Sequence, residues 1–500
     1  MVNQVVKRSR LVLSLAIALA VALRVFADNV PPVLHSKVGT TVKSKDGAVA
    51  LTISEQKQNF GGCSAQHCDT DVNSPKSAHF HPDGTKYYIN SLEGCVTIVY
   101  DARTNQKIKV IKHSFNRSNA YLFAEPSALF HFKHYSQSKR DLNTFEGRPV
   151  ESAFSHGGRY LWIPYYRRSY DINAQDPSAM AIVDTENDEI IKVMGTGPLP
   201  KMVATSHNGK YLAVAHWGDN TVSLLDISSN NPDRWHYVNL YVVDHQLKLD
   251  YSMTHHVNRD AGSGYMLRGT VFTPDDRYLL VACMGGGGGI AVIDVLRNVY
   301  LGRLTGIYNA RHLLVKNGYL YASLNVEGIV QRIPLAKVVA TIQGMKGKTK
   351  ELSGWQRCKV GAGTRTISIS PSGNYLFAAC NSASRVYVVD TRTMTQVTSI
   401  VVDSYPVGLD LSSDGTRLLV TSQGRKGFGG NAVNLITVDY AEPEPDVNAV
   451  SPPAQSDSVA CQSSATEPAP EESSPFWTFL LFGAGGILLF GILYALFRKK

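Results

Sequence analysis

The chain of 500 residues has little cysteine, little charge and few of the short motifs that mark common enzymes. Seven cysteines exclude a small domain that depends on a framework of disulfides. The glycine run from Gly285 to Gly289 is not followed by Gly-Lys-Ser or Gly-Lys-Thr, so it is not a phosphate-binding P-loop. No His-Glu-x-x-His motif and no serine nucleophile elbow occurs, so the simplest signals for a zinc protease or a serine hydrolase are missing.

What the chain does contain favours β-structure. It has 41 glycines and 24 tyrosines, and 44% of its residues are hydrophobic. Glycine supplies turns and tyrosine suits strands, whereas this apolar content is too high for a disordered chain. We therefore expect an all-β protein with many turns.

The N-terminus has the order of a secretory signal peptide. Three basic residues precede an apolar run from Leu11 to Leu23, which is too short to span a bilayer comfortably. Val25 and Ala27 then fit the small-residue positions before a cleavage site. Residues 1–27 are therefore predicted to be a signal peptide, with an uncleaved anchor as the alternative.

The C-terminus has the pattern of a single membrane-spanning helix. The stretch Phe476–Phe497 is uncharged and long enough to cross about 30 Å of hydrocarbon. Trp477 and Tyr494 lie near its ends, as interfacial aromatic residues do, and the basic tail 498–500 is expected on the cytoplasmic side. The prediction is a type I membrane protein with residues 28–475 in the periplasm or at the cell surface.

Segment 441–475 is predicted to be an extended stalk, since it is rich in proline and serine and contains no aromatic residue. It carries seven acids and no base, whereas the leader and the tail carry seven bases. The formal charge of +9 on the whole chain therefore leaves a basic folded region. A basic surface favours an anionic partner, either a small molecule, a polyanion or an envelope protein, and does not exclude nucleic acid.

One structural unit recurs along the middle of the chain: a short apolar strand, a tight turn, an aromatic-rich strand and a third strand. The turns lie at Gly84, Gly158, Gly209, Asp276, Gly318, Gly373 and Gly415. In most copies the third strand ends in Asp, at Val96–Asp101, Ala179–Asp184, Thr221–Asp226, Ile290–Asp294, Arg385–Asp390 and Ala432–Asp439. Seven copies at a spacing of about 40 residues or more predict a seven-bladed β-propeller.

The repeat resembles that of the YVTN-repeat seven-bladed β-propellers, most closely in Lys210–Asp226, Arg277–Asp294 and Asn374–Asp390. The family is also similar to lactonase-type propellers, and its members are mostly binding and surface proteins. The resemblance implies a propeller over residues 76–440. The N-terminal segment 28–75 is expected to supply a ring-closing strand near Ala48–Ser54.

Basic residues recur where each innermost strand begins, about eight residues before the turn. Equivalent positions meet at the mouth of the central channel, so a ring of cations that attracts anions is predicted. The alternative is that these bases pair with neighbouring carboxylates, although no acid recurs in register with them. The predicted ligand-binding residues are Lys76, Arg148, Lys201, Arg268, Arg311 and Arg365.

Other candidate sites are weaker. His79, His81 and His216 are weak candidates for metal ligands, because the first two make only a two-histidine site and the third fits a structural position. Cys63 and Cys68 bracket a short loop, and an exported chain favours a disulfide between them, with a metal loop that includes His67 as the rival.

Three functions remain open. The first is a membrane-tethered binding module without a cofactor, for which the basic ring is the main argument. The second is a lactonase-like hydrolase, which lacks a recognisable acid–base pair at the channel. The third is a redox propeller that binds a metal or haem through histidine or cysteine.

Overall fold

The computed structural model describes residues 34–124, 143–247, 257–425 and 428–442. Within these ranges the chain forms seven antiparallel sheets, or blades, that follow one another in chain order. From blade 2 to blade 7 the innermost strands of consecutive blades contact each other, and that of blade 7 contacts that of blade 1. Blades 1 and 2 meet through Lys86–Ser91 and Val96–Asp101 of blade 1 and Phe145–Pro149 of blade 2. The protein is therefore an all-β, seven-bladed propeller with a closed ring.

The first three blades have the predicted hairpin order. Blade 1 consists of Pro75–Phe80, Lys86–Ser91, Val96–Asp101 and Lys107–Lys112. Blade 2 consists of Ala153–Ser155, Tyr160–Arg168, Ser178–Asp184 and Glu189–Thr196, with the added strands Ser114–Phe115 and Phe145–Pro149. Blade 3 consists of Pro200–Thr205, Tyr211–His216, Thr221–Asp226 and His236–Val242.

The next three blades vary mainly at their outer edges. Blade 4 consists of Leu267–Phe272, Tyr278–Cys283, Ile290–Asp294 and Val299–Thr305, with Thr349–Glu351 added in parallel. Blade 5 consists of Ala310–Lys316, Tyr319–Leu324, Ile329–Pro334 and Gln356–Lys359. Blade 6 consists of Thr364–Ile369, Tyr375–Cys380, Arg385–Asp390 and Thr395–Val401.

Blade 7 joins the two ends of the propeller. Its strands, from the centre outward, are Pro406–Leu411, Arg417–Ser422, Ala432–Tyr440, Val49–Gln58 and Thr41–Lys43. The strand Val49–Gln58 comes from the N-terminal segment and pairs antiparallel with Ala432–Tyr440. The ring is thus closed by hydrogen bonds between residues almost 400 positions apart.

Helices are short in the part of the chain that the structure describes. One α-helix, Leu335–Gln343, replaces the sequence that would continue blade 5 after Pro334, where the repeat lacks its usual Asp. Short 3₁₀ segments occupy Arg117–Leu122, His156–Gly158 and Pro232–Arg234. No helix of the described residues is long and apolar enough to cross a membrane. The predicted signal peptide 1–27 and membrane helix 476–497 lie outside those residues.

The turns between the first and second strands explain the glycines of the repeat. Gly84 has a φ of +74° and donates its N–H to the carbonyl of His81, closing a tight turn. A left-handed residue is required at this point, which favours glycine. In blade 4 Asp276 takes the same role with a φ of +54°, which an aspartate tolerates better than most residues.

The hydrophobic core is divided into seven layers, each between two neighbouring blades. One of these layers contains Phe80 and Tyr87 of blade 1 with Leu419 and Leu435 of blade 7. Buried side chains from both faces of each sheet fill these layers, which fits the nearly continuous apolar runs of the second and third strands. Packing between neighbouring blades therefore continues round the whole ring. The innermost strands of the blades face a central channel.

Candidate functional site at the channel mouth

Five of the seven innermost strands carry a predicted basic residue at the second position, where the pairing with the next strand is irregular. The register shifts at this point in blades 1, 3, 4, 5, 6 and 7. A bulge adds a residue to one strand and redirects its side chain. The repeated bulge therefore explains how one sequence position comes to face the channel in different blades. We call the basic residues at this position the collar: Lys76, Lys201, Arg268, Arg311 and Arg365.

Four collar residues line one open cavity of about 540 Å³ at the channel mouth: Lys76, Lys201, Arg311 and Arg365. The cavity wall also contains Tyr166, Trp217, Tyr405, Asp260 and Gln423. The fifth collar residue, Arg268, contacts Glu151, which lines a second cavity of about 270 Å³ formed by the inner strands. The structure thus brings together five of the six bases that the sequence predicted to converge.

Arg148 does not belong to the collar. Pro149 pairs with Tyr165 as Pro75 pairs with Ser91, so the residue equivalent to Lys76 is the buried Val150. The eight-residue spacing from Gly158 also leads to Val150, whereas Arg148 lies two residues earlier. Arg148 instead forms an ion pair with Glu93.

Two collar residues are paired with carboxylates. Lys201 Nζ lies 3.1 Å from Asp260 Oδ1, and it also sits over the rings of Tyr166 and Trp217, 4.1 and 5.0 Å from their centroids. Arg268 donates a hydrogen bond of 2.8 Å to Glu151. Lys201 and Arg268 therefore pair with neighbouring carboxylates, which is the alternative to ligand binding that the sequence left open.

The other three collar residues, Lys76, Arg311 and Arg365, form no ion pair with any described residue. Lys76 Nζ donates to the side-chain oxygen of Gln423 at 3.3 Å, and Arg311 donates to the sulfur of Met284 at 3.4 Å. Arg365 contacts Tyr405, whose ring centroid lies 5.9 Å from the guanidinium carbon. The Nε atoms of Arg311 and Arg365 are buried without a hydrogen-bond partner. Part of the collar therefore carries charge that the protein does not neutralise locally.

Burial and mutual repulsion disfavour the charged forms of the collar. Burial, only partly offset by Asp260, lowers the pKa of Lys201 to about 7. Burial, together with the charges of neighbouring arginines, lowers the pKa of Lys76 and of Arg311 well below their usual values. The same causes lower the pKa of Arg365 to about 10. A bound anion would reverse these shifts, because an opposite charge favours the protonated form.

Sequence reasoning missed the acids of the site. Glu151 directly follows Val150, and its position in blade 2 could have been found by aligning that blade strictly on its turn. Asp260 lies in the long insertion between blades 3 and 4, which has no counterpart in the repeat. No register argument could therefore place it beside Lys201.

The histidines proposed as metal ligands are not brought together. His79 lines the inner cavity, with its Nδ1 4.0 Å from Asp410, whereas His81 lies in the first turn of blade 1, 2.6 Å from Asp83. His216 is fully buried and bonded to Thr221 at 2.8 Å, and burial lowers its pKa to about 3. Within the described ranges, no group of three His, Cys, Asp or Glu side chains could hold a metal ion.

Cys63 and Cys68 form a disulfide, with their Cα atoms 5.6 Å apart. The loop that they close follows the ring-closing strand, and Cys68 lies beside Gln58 at the end of that strand. His67 is bonded to Glu55 at 3.0 Å. The loop is therefore attached to the strand that joins the two ends of the propeller.

Comparison with known proteins supports the fold and no more. No protein-family model matches the chain, and no curated protein matches its sequence. The structure is similar to Kuenenia stuttgartiensis hydrazine synthase, with a TM-score of 0.50 and 15% identity over 77% of this chain and 100% of that chain. It is also similar to the propeller domain of Cps50 (Swd1) from Myceliophteria thermophila, with a TM-score of 0.48 and 11% identity over 73% and 96%. At these identities the likeness concerns the fold alone.

Proposed function

We propose that the protein is a binding module that holds an anionic ligand in the cavity at the channel mouth. The observation that carries the proposal is the set of three bases, Lys76, Arg311 and Arg365, that converge there without a carboxylate partner. Buried like charges repel one another and lose hydration, so the empty site is costly to maintain. An anion would offset that cost and would satisfy the unpaired guanidinium groups.

The site favours binding over acid–base catalysis. The acids at the channel mouth are each held by a base: Glu151 by Arg268, Asp260 by Lys201 and Glu93, which also lines the cavity, by Arg148. A general acid or base must be free to exchange a proton with a substrate within hydrogen-bond reach. The present arrangement offers positive charge and aromatic surface to a ligand, which are means of recognition.

The test is calorimetric titration of sulfate into the purified full chain and into single variants. We expect saturable binding to the parent chain that weakens with added salt, since charge–charge attraction is screened. Arg365→Gln should weaken sulfate binding about 10-fold, the value of one hydrogen bond to a charged group. Arg392→Gln is the matched control, because Arg392 lies on blade 6 like Arg365 but is 59% exposed and pairs with Asp390 outside the cavity, and it should leave affinity unchanged. Equal affinity in all three proteins would contradict the proposal.

We also propose a location for the protein, outside the cytoplasm and attached to a membrane. Its basis is sequence pattern alone: the predicted signal peptide, the acidic stalk 441–475 and the uncharged stretch Phe476–Phe497. In this proposal a propeller of the YVTN-repeat type is displayed outside the cytoplasm on a membrane tether. Fractionation tests it: the full chain should sediment with membranes, and the same chain without residues 476–500 should not. A truncated chain that stays in the membrane pellet would contradict the tether.

A further inference from the structure

The unpaired charge of the collar is confined to one side of the cavity. Arg311, Arg365 and Lys76 belong to blades 5, 6 and 1, with Val407 of the intervening blade 7 between them. The two acids that line this cavity are each paired with a base outside this group: Asp260, in the segment after blade 3, with Lys201, and Glu93 of blade 1 with Arg148. A ligand therefore meets the unpaired collar bases on one wall, whereas the carboxylates of the cavity are already compensated.

We propose that the cavity takes a small ligand with two or more anionic oxygen groups on one side, such as a polycarboxylate or a phosphate ester, bound by Lys76, Arg311 and Arg365. This inference rests on the proposed function and names the chemical class of its ligand. Three bases exceed what a single carboxylate can neutralise, whereas two or three anionic groups match their number. On the opposite wall Lys201 and Asp260 compensate each other, so no further unpaired collar base is offered there.

The depth of the bases indicates a small ligand. The side chains of the collar are recessed: Lys76, Lys201 and Arg365 are 9%, 8% and 6% exposed. A duplex or another stiff polyanion that lies across the mouth presents its charges outside the cavity, beyond hydrogen-bond distance of such groups. The cavity volume of about 540 Å³ falls in the range of small-molecule sites.

The opposite wall suits the uncharged part of the ligand. Tyr166 and Trp217 line it, and Ile172 adds an apolar side chain that is 76% exposed. Arg167 lines the same wall and donates a hydrogen bond of 3.4 Å to the carbonyl of Asp171. Lys201 packs against both aromatic rings and forms an ion pair with Asp260, so the protein itself compensates its positive charge. The ligand that fits carries its charges toward blades 5, 6 and 1 and its carbon frame toward blade 2.

Titration of acetate, succinate, citrate and glycerol phosphate into the purified full chain, at matched ionic strength, tests the inference without any substitution. We expect citrate and glycerol phosphate to bind at least about 10-fold more tightly than acetate, because each added charge contact contributes a charge-assisted hydrogen bond. Affinity for acetate equal to that for citrate would overturn the inference on valence and leave anion binding itself intact. If no anion binds, sulfate included, the proposed function fails as well.

Two further measurements separate the remaining outcomes. Arg311→Gln and Arg365→Gln should each weaken citrate binding about 10-fold, with Arg392→Gln as the unaffected control. Lys76→Met serves as a second probe of the same wall if an arginine variant loses its thermal transition. Binding of a heparin-type polyanion in the absence of citrate binding would overturn the small-ligand inference and would favour a macromolecular partner.

Discussion

Arg268 and Glu151, which are 117 residues apart in sequence, form a buried ion pair of 2.8 Å between blades 4 and 2. Their side chains are 5% and 10% exposed. Glu151 is also the acid whose charge counteracts the lowered pKa values of Lys76, Arg311 and Arg365. The pair therefore joins two blades and compensates part of the charge of the collar.

Replacing Glu151 by Gln should destabilise the fold by about 3–5 kcal/mol, because it leaves Arg268 buried without its counter-charge. Sulfate should restore part of this loss by supplying negative charge at the collar. Urea unfolding with and without sulfate measures both effects. The double variant Glu151→Met/Arg268→Met is the control, since removing both charges leaves no unpaired ion. A single variant as stable as the parent would show that the pair does not hold the two blades.

Sulfate binding should strengthen as the pH falls from 8 to 6. Lys201 has a pKa of about 7, because burial and the charges of Arg268 and Arg311 outweigh the attraction of Asp260. An anion favours the protonated ammonium, so binding takes up a proton near this pH, and sulfate itself does not titrate there. Calorimetry in two buffers of different ionisation enthalpy measures the proton uptake. Lys201→Met should reduce the uptake, and a parent chain without uptake would contradict the assignment.

The lowered pKa of Lys201 also predicts how the free energy of unfolding changes with pH. The unfolded lysine titrates near 10.4, so between about pH 7 and pH 10 the unfolded chain binds more protons than the folded one. The free energy of unfolding contributed by Lys201 therefore rises with pH across this window. Lys76 has a pKa shifted in the same direction and should contribute in the same sense.

The regular part of the fold could be predicted from the sequence because it repeats. Asp-Gly and Asn-Gly turns and third strands that end in Asp recur in register, and the collar base recurs with them. Asp260 could not be predicted, since it comes from an insertion without internal periodicity. The sequence predicts Arg148 as the base of blade 2, although it lies ten residues before the turn, whereas the structural equivalent of the other collar residues is the apolar Val150. Repetition thus fixes positions, but it does not fix which residue type occupies each of them.

The disulfide between Cys63 and Cys68 should stabilise the protein by about 2 kcal/mol through closure of a short loop. The double variant Cys63→Ser/Cys68→Ser should lower the free energy of unfolding by that amount in oxidising buffer. In reducing buffer the parent should fall to the level of the variant. Mass spectrometry of the unreduced chain should find the two cysteine peptides linked, and free thiols at both positions would contradict the bond.

Asp403 should be one of the most sensitive single positions for ring closure. Its carboxylate is fully buried and accepts hydrogen bonds from Ser36 at 2.6 Å, Asn434 at 3.0 Å and Gln58 at 3.1 Å. It thus ties the N-terminal segment and the closing strand to the last blade.

Asp403→Ala leaves these buried donors without their acceptor, so we expect a loss of about 3 kcal/mol in the free energy of unfolding, together with faster hydrogen exchange of the closing strand. Asp233→Ala is the matched control, because Asp233 is 88% exposed and pairs only with Lys192 among the described bases. A surface pair of this kind contributes less than about 1 kcal/mol. Equal stability of the two variants would show that the closing strand is held by backbone pairing and packing without help from Asp403.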